Sequence, residues 1–181
     1  MTPETAAALF AVGLVAVIAV FWIVSTYNAV VALQQRADKA WANIEVALKQ
    51  RHDQLPRLVD AVRGIMAYEQ ATLQRVTELR ASFRPEAPIP DQAVTSAATS
   101  DAVRRLFAVV EAYPELRSQA NVLDLQDEIE RLESVIADRR ELYNDQVYRY
   151  NARIAQVPTL WLAPLFGWAR RDFFEADPAT G

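Results

Sequence analysis

Two hydrophobic patterns divide this chain, and the first is continuous. From Ala6 to Val24 the sequence reads AAALFAVGLVAVIAVFWIV, with no charge, amide or hydroxyl. At 1.5 Å rise per residue, about 19 helical residues cover roughly 28 Å, close to the roughly 30 Å of a bilayer's hydrocarbon core. The run therefore predicts a membrane span whose anchor residues are Leu9, Phe10, Leu14, Val17, Ile18, Phe21, Trp22 and Ile23. A cleaved signal peptide needs a basic region before the run, a shorter apolar core and a small-x-small site after it. Here residues 1 to 8 carry only Glu4, the run is too long, and Ser25, Thr26 and Tyr27 follow it. A retained anchor is expected.

The second pattern is a stripe. Beyond the span, apolar residues recur at steps of three and four: Tyr27, Val30, Ala37, Trp41, Ile44 and Leu48, then Leu55, Leu58, Val62, Ile65, Leu73, Val76 and Phe83. A period near 3.5 is the mark of helices packed side by side. The stripe lapses at Arg51, His52 and Asp53, and Pro56 follows. With Asp53 as an N-cap, Pro56 falls in a first turn that needs no donor from it, so one helix ends near His52 and another starts near Gln54. The stripe also resumes in phase at Leu55, which leaves a continuous helix kinked at Pro56 as the alternative. The three prolines of Arg84 to Pro90 make a loop, and Asp91 caps a third helix through Val103, Leu106, Phe107 and Val110 that ends at Tyr113-Pro114. A fourth and longest helix runs to about Val157 along Leu125, Ile129, Leu132, Ile136, Tyr143, Val147, Tyr150 and Ile154. The expectation is an all-α chain: an N-terminal transmembrane helix, then an antiparallel up-and-down four-helix bundle of long helices. Residues 1–26 form the tail and anchor, 27–157 the bundle, and 158–181 an aromatic and basic C-terminal tail.

Charge orients this plan. No basic residue precedes the span, while Arg36 and Lys39 lie just beyond it and Lys49, Arg51 and Arg57 further on, so the bundle is expected in the cytoplasm and the N-terminus outside. Trp22 and Tyr27 sit at that end, where amphipathic rings favour the headgroups. A net charge of -4 argues against a nucleic-acid partner, which requires a basic face. The absence of cysteine removes disulfides and thiolate chemistry, and with four glycines phosphate-cradling loops are scarce.

The chemistry-bearing residues are few. Lys49, Arg51, His52, Asp53 and Arg57 form the candidate interaction patch, holding the single histidine next to a carboxylate. One His with no Cys and no Gly-x-Ser-x-Gly turn builds no familiar nucleophilic triad, and no Glu-x-x-His pair is present for a dimetal site. No metal and no cofactor are expected. The acidic run Asp124, Asp127, Glu128, Glu130 and Glu133 lacks the glycine of a calcium loop and reads as a solvated face. Tyr-Asn occurs at Tyr27-Asn28, Tyr143-Asn144 and Tyr150-Asn151, the last two one heptad apart. Each Tyr is expected to fill the seam, with its Asn bonding across helices or to water, rather than to form a ligand-binding layer. In the tail, Trp161, Phe166, Trp168, Arg170 and Arg171 suit a segment at the membrane surface. The same aromatics also suit a cap on the bundle's lower core, and both readings stand.

The order Tyr27-Asn28, Ala40-Trp41, Leu48, Arg51-x-Asp53-x-x-Pro56-x-Leu58-Val59, Gly64, Glu69, Glu111-Ala112-Tyr113-Pro114-x-Leu116, Leu125-Gln126, Tyr143-Asn144, Tyr150-Asn151 and Phe166-Gly167 resembles the LemA family over nearly the whole chain. Trp168 stands where the family pattern has Phe, and the proline-rich 84–90 loop departs from it. The resemblance implies a bacterial single-pass protein of the cell membrane, a short external tail and a cytoplasmic four-helix bundle. It implies no activity. The expected function is a membrane-anchored, non-catalytic scaffold or adaptor that presents its bundle to protein partners or forms a homo-oligomer in the membrane plane, with lipid as its other partner. The alternative is an enzyme, or enzyme subunit, with a site near His52. An enzyme calls for a concave pocket there with a perturbed titratable group, and a scaffold for a filled core and a flat surface.

Overall fold

The computed structural model describes residues 3–63 and 70–176, which are helical apart from short connections and the tail, with no strand among them. Six helices follow in order: α1 (Pro3–Arg63), α2 (Gln70–Ala81), α3 (Ile89–Glu111), α4 (Pro114–Arg117), α5 (Ala120–Ala155) and α6 (Thr159–Phe166). Among them α1 is the longest at 61 residues, about 90 Å of helix, and it carries both hydrophobic patterns. Its apolar N-terminal part is exposed on every side. From Val30 onward one stripe is buried instead.

The chain neither reverses nor restarts at residues 52–56. Helix α1 continues through Pro56 to Arg63, which selects the continuous helix over the break near His52, the two readings the sequence left open. The apparent lapse in the stripe is a polar seam position. Arg51 lies three residues after Leu48 and four before Leu55, on the same face, and all three are buried. Pro56 forfeits one helical hydrogen bond, a local cost of about 3 kcal/mol. Burial of Leu55, Leu58, Val59 and Val62 around it offsets that cost. Asp53 is then an exposed mid-helix residue, not a cap.

Helix α2 packs back on α1 through Leu73, Val76 and Leu79, and Phe83 meets His52 with ring centroids 5.0 Å apart. Gly64, Ile65 and Glu69, which the sequence pattern singled out, lie outside the described residues. Helix α3 starts two residues before Asp91, after Pro88 and with Pro90 in its first turn. Asp91 therefore lies in that first turn and caps nothing. The last long helix begins at Ala120 because the chain first makes the separate turn α4 after Tyr113.

Helices α1 and α5 form the main pair, in opposite directions. Arg51 meets Glu133, the Trp41 and Tyr143 rings meet tilted with centroids 5.4 Å apart, and Val30 shares a cluster with Tyr150 and Ile154. The far end of the domain is a broad apolar core of Leu55, Leu58, Val62, Val76, Val103, Leu106, Leu116, Val122 and Ile129. Nearer the apolar run Ala37, Ala40 and Ala47 pack beside Ile44, Tyr143, Val147 and Ala93 of α3, and the core then narrows to α1, α5 and the tail at Val30, Tyr150, Ile154 and Trp168. Trp41 is half-buried at that cluster's edge, although its stripe position predicts full burial.

Candidate functional site

The five residues of the expected patch do not share a surface. They occupy successive faces of α1, and only part of the set comes together. Arg51 is 4% exposed and turns inward. Its Nη1 donates to Glu133 Oε1 at 2.7 Å and to Ser100 Oγ at 2.9 Å, while Nη2 donates to Ser96 Oγ at 2.9 Å. Ser100 Oγ in turn donates to Glu133 Oε2 at 2.5 Å. The result is a closed polar layer across α1, α3 and α5. Glu133 is thereby taken out of the acidic face, where the sequence placed it, whereas Asp124, Asp127 and Glu130 remain exposed. A buried charge pair is costly to desolvate and costlier to break on one side. This layer is structural.

On the neighbouring face, Ala42, Glu45, Val46, Lys49, His52, Asp53, Phe83, Pro85 and Gln92 line an open cavity of about 690 Å³. Gln92 Nε2 donates to the carbonyls of Pro85 and Ala87, both at 2.9 Å, and so holds the 84–90 loop over α3. Burial pushes the His52 imidazole below its ordinary value, the Arg80 charge adds to the effect, and Asp53 opposes it. His52 Nδ1 is buried and has no hydrogen-bond partner. Among the described residues no carboxylate hydrogen-bonds the ring, and none of the cavity's lining residues is a serine, threonine or cysteine able to act as nucleophile. Among the described residues, no group of three or more His, Cys, Asp or Glu side chains is placed to hold a metal ion. Arg57 lies on the open surface, 3.5 Å from Gln54 Oε1. The concavity the enzymatic reading called for is present, and among the described residues nothing hydrogen-bonds to His52 Nδ1.

The C-terminal tail divides the remaining candidates. Trp161 is exposed on α6, Phe166 stacks on Trp168 at 5.0 Å, and both rings approach Tyr27, at 5.0 and 5.9 Å. Trp168 is partly buried and Arg170 is exposed. Arg171 faces protein: it pairs with Asp38 at 2.6 Å and lies 5.5 Å from the Tyr150 ring centre. Beyond it, Phe174 is buried against Trp41, with centroids 5.6 Å apart.

The two heptad-spaced Tyr-Asn doublets hold this tail. Asn151 donates to the Arg171 carbonyl and accepts from its N–H, both at 2.9 Å. Asn144 accepts from the Phe174 N–H at 2.9 Å and donates to its carbonyl at 3.4 Å. Tyr143 donates to the Asp172 carbonyl at 2.9 Å, and burial pushes its phenol up to about 12 against the opposing effect of Arg171. The spacings match. Seven helical residues rise about 10.5 Å, and three extended residues reach about 10 Å. The doublets thus read main chain, a role that sequence reasoning missed. The signal that was available is their one-heptad spacing together with a tail carrying two adjacent phenylalanines.

The anchor residues, from Leu9 through Ile23, are all exposed, and α1 is the one helix among the described residues long and apolar enough to cross a membrane. Fold and site therefore define an all-helical protein carried on a long apolar N-terminal helix, with a polar layer inside and a clamped C-terminal strap. The chain belongs to the LemA family, whose model matches residues 40–180. It is similar to the magnetosome proteins MamQ 2 and MamQ 1 of Paramagnetospirillum magneticum, at 37% identity over 79 residues. It is also similar to the magnetosome protein MamQ of Magnetospirillum gryphiswaldense, at 33% identity over 79 residues. Each match covers 44% of this chain and 29% of the relative's length.

Three measurements probe these assignments. Glu133→Gln should destabilise the detergent-solubilised chain by roughly 2 to 4 kcal/mol in urea, because it leaves the Arg51 charge buried without its counter-charge. The double change Arg51→Met with Glu133→Leu should recover most of that loss, and no recovery would contradict the coupling. A histidine held below its ordinary 6.5 binds its proton more readily in the unfolded chain, so its contribution is full above that value and is lost as pH falls through its titration range. From about pH 7.5 to about 5.5 the melting temperature should therefore drop more for the native chain than for His52→Gln. Finally, Asn144→Ala combined with Asn151→Ala removes four main-chain bonds of about 1 kcal/mol each, and should speed trypsin cleavage after Arg170 or Arg171 at least about tenfold.

Proposed function

We propose that this protein is a membrane-anchored, non-catalytic scaffold. Residues 6–24 span the bilayer once with the N-terminus outside, and the helices beyond Tyr27 form an antiparallel four-helix bundle in the cytoplasm. The observation that carries this reading is the continuity of α1. One helix passes from a segment exposed and apolar on all sides to a segment with a single buried stripe, without a hinge residue between them. A helix that is apolar all round fits hydrocarbon, and a striped one fits water on its outer faces. The bundle is then held rigidly on its anchor, a geometry suited to presenting a fixed surface to protein partners or to assembling copies in the membrane plane. Similarity over part of the chain to relatives named as magnetosome proteins, none of them named as an enzyme, supports this reading.

A second reading, an enzyme or enzyme subnit at His52, has the neighbouring cavity in its favour. Against it, a general base needs its ring nitrogens aimed and one of them oriented, and His52 Nδ1 is buried without a partner. His52→Ala is accordingly expected to leave the cellular phenotype near that of the native chain. Loss of function in a normally folded His52→Ala protein would move the assignment to the enzyme.

Orientation is tested by reporter fusion after Gly181. The basic residues all follow the span, so a reporter active only in the cytoplasm should be active there. Activity of a reporter that works only outside the cytoplasm would overturn the placement.

A further inference from the structure

Helix α6 has one face against the protein and one face against nothing described. Thr159 and Ala163, one turn apart, are buried. On the opposite side Leu160, Trp161 and Leu165 are 48%, 69% and 77% exposed, and Pro164 lies between them. The whole sequence TLWLAPLF contains no charge. Scattered apolar residues are common on protein surfaces, but a helix whose entire outer face is large and apolar marks a contact with something apolar.

Its place in the fold identifies that contact. Phe166, at the end of α6, lies 5.0 Å from Tyr27, three residues past the end of the apolar run of α1. The α1 residues just before it, Val20, Phe21 and Val24, are themselves exposed. After Phe166 the chain turns at Gly167, whose φ of 67° is the left-handed conformation that glycine supplies at a helix end. The strap then runs away from the apolar run, reaching Asp38 with Arg171 and Trp41 with Phe174. The C-terminal region thus descends to the foot of the domain, exposes α6 there and ascends again.

We propose that α6 lies in the headgroup–acyl boundary of the leaflet beside α1, with Trp161 and Leu165 in lipid. This rests on the reading of residues 6–24 as a membrane span. An ordinary interfacial helix needs a charged face toward water. In α6 the protein takes that place, because Thr159 and Ala163 are covered by the domain. Of the two tail arginines, Arg171 is committed to Asp38, which leaves the exposed Arg170 to meet anionic headgroups. A single span leaves a domain free to rotate about its axis, and a second contact off that axis removes this freedom.

The chain has no cysteine, so single labels can be introduced without background. The full chain is prepared as Leu165→Cys, Trp161→Cys, Phe21→Cys and Val46→Cys, each spin-labelled and reconstituted into vesicles containing anionic lipid. All four positions are exposed, so none of the changes removes core packing. Labels at 165 and 161 should be more accessible to dissolved oxygen than to a water-soluble nickel chelate, as at 21 but shallower, and the label at 46 should show the reverse. If 165 and 161 behave like 46 while 21 remains in lipid, α6 is aqueous and this proposal falls while the anchor stands. If 21 also reads as aqueous, the span itself is wrong and α6 loses its lipid. Spin–spin broadening at 165, with neither reagent reaching it, would show that a second copy of the chain covers the face, and would overturn the lipid assignment.

Discussion

The pairing of Arg51 with Glu133 sets the register of this domain. A seam of apolar residues repeating every 3.5 positions is satisfied almost equally well if one helix slides by a heptad, because Leu and Val seek only burial. A buried guanidinium has no such latitude. It must face Glu133 on α5 together with Ser96 and Ser100 on α3, and any slip leaves a charge in the core without its counter-charge. The layer is continuous with the stripe that α1 carries past Pro56, because Arg51 stands between the buried Leu48 and Leu55 on one face of the helix.

Much of the fold is legible in local pattern. The long apolar helix, the seam of α1 and α5, the proline loop and the Tyr113-Pro114 stop all follow from spacing and turn chemistry, which act over a few residues. Two of the misreadings share one cause. Arg51 looks like a helix end because its partners lie 45 to 82 residues away, Glu133 looks solvated for the same reason, and Asp91 looks like a cap because capping residues are common at such places. Asn144 and Asn151 are ordinary polar positions until the tail is laid across them. A polar residue's role depends on its partner, and in this chain the partners are distant.

The tail shows how one segment divides between two environments. Phe174 is buried among protein side chains, Arg171 pairs with Asp38, and Trp161 and Leu165 have no protein cover. Sequence reasoning set membrane contact against core cap for the whole of residues 158–181, whereas exposed and covered side chains divide inside the segment, with Trp161 and Leu165 exposed before Gly167 and Phe174 buried after it. A left-handed glycine allows the chain to change direction within one residue, so adjacent stretches need not share a surface.

These features bear on what the protein does. Its strongest polar groups are consumed internally: Arg51 and Glu133 hold three helices together, and Asn144, Asn151 and Arg171 hold the strap. The one perturbed histidine faces an apolar-walled hollow without an orienting carboxylate. An active site requires polar groups held in place but left unsatisfied until substrate arrives. Among the described residues three buried side-chain atoms, His52 Nδ1, Gln92 Oε1 and Thr159 Oγ1, are unpaired, and the large exposed apolar side chains concentrate along residues 9–24 of α1 and on α6. Under the proposed membrane reading, a molecule that commits its charged side chains to internal pairing and leaves these apolar surfaces uncovered is held in one orientation against an apolar phase.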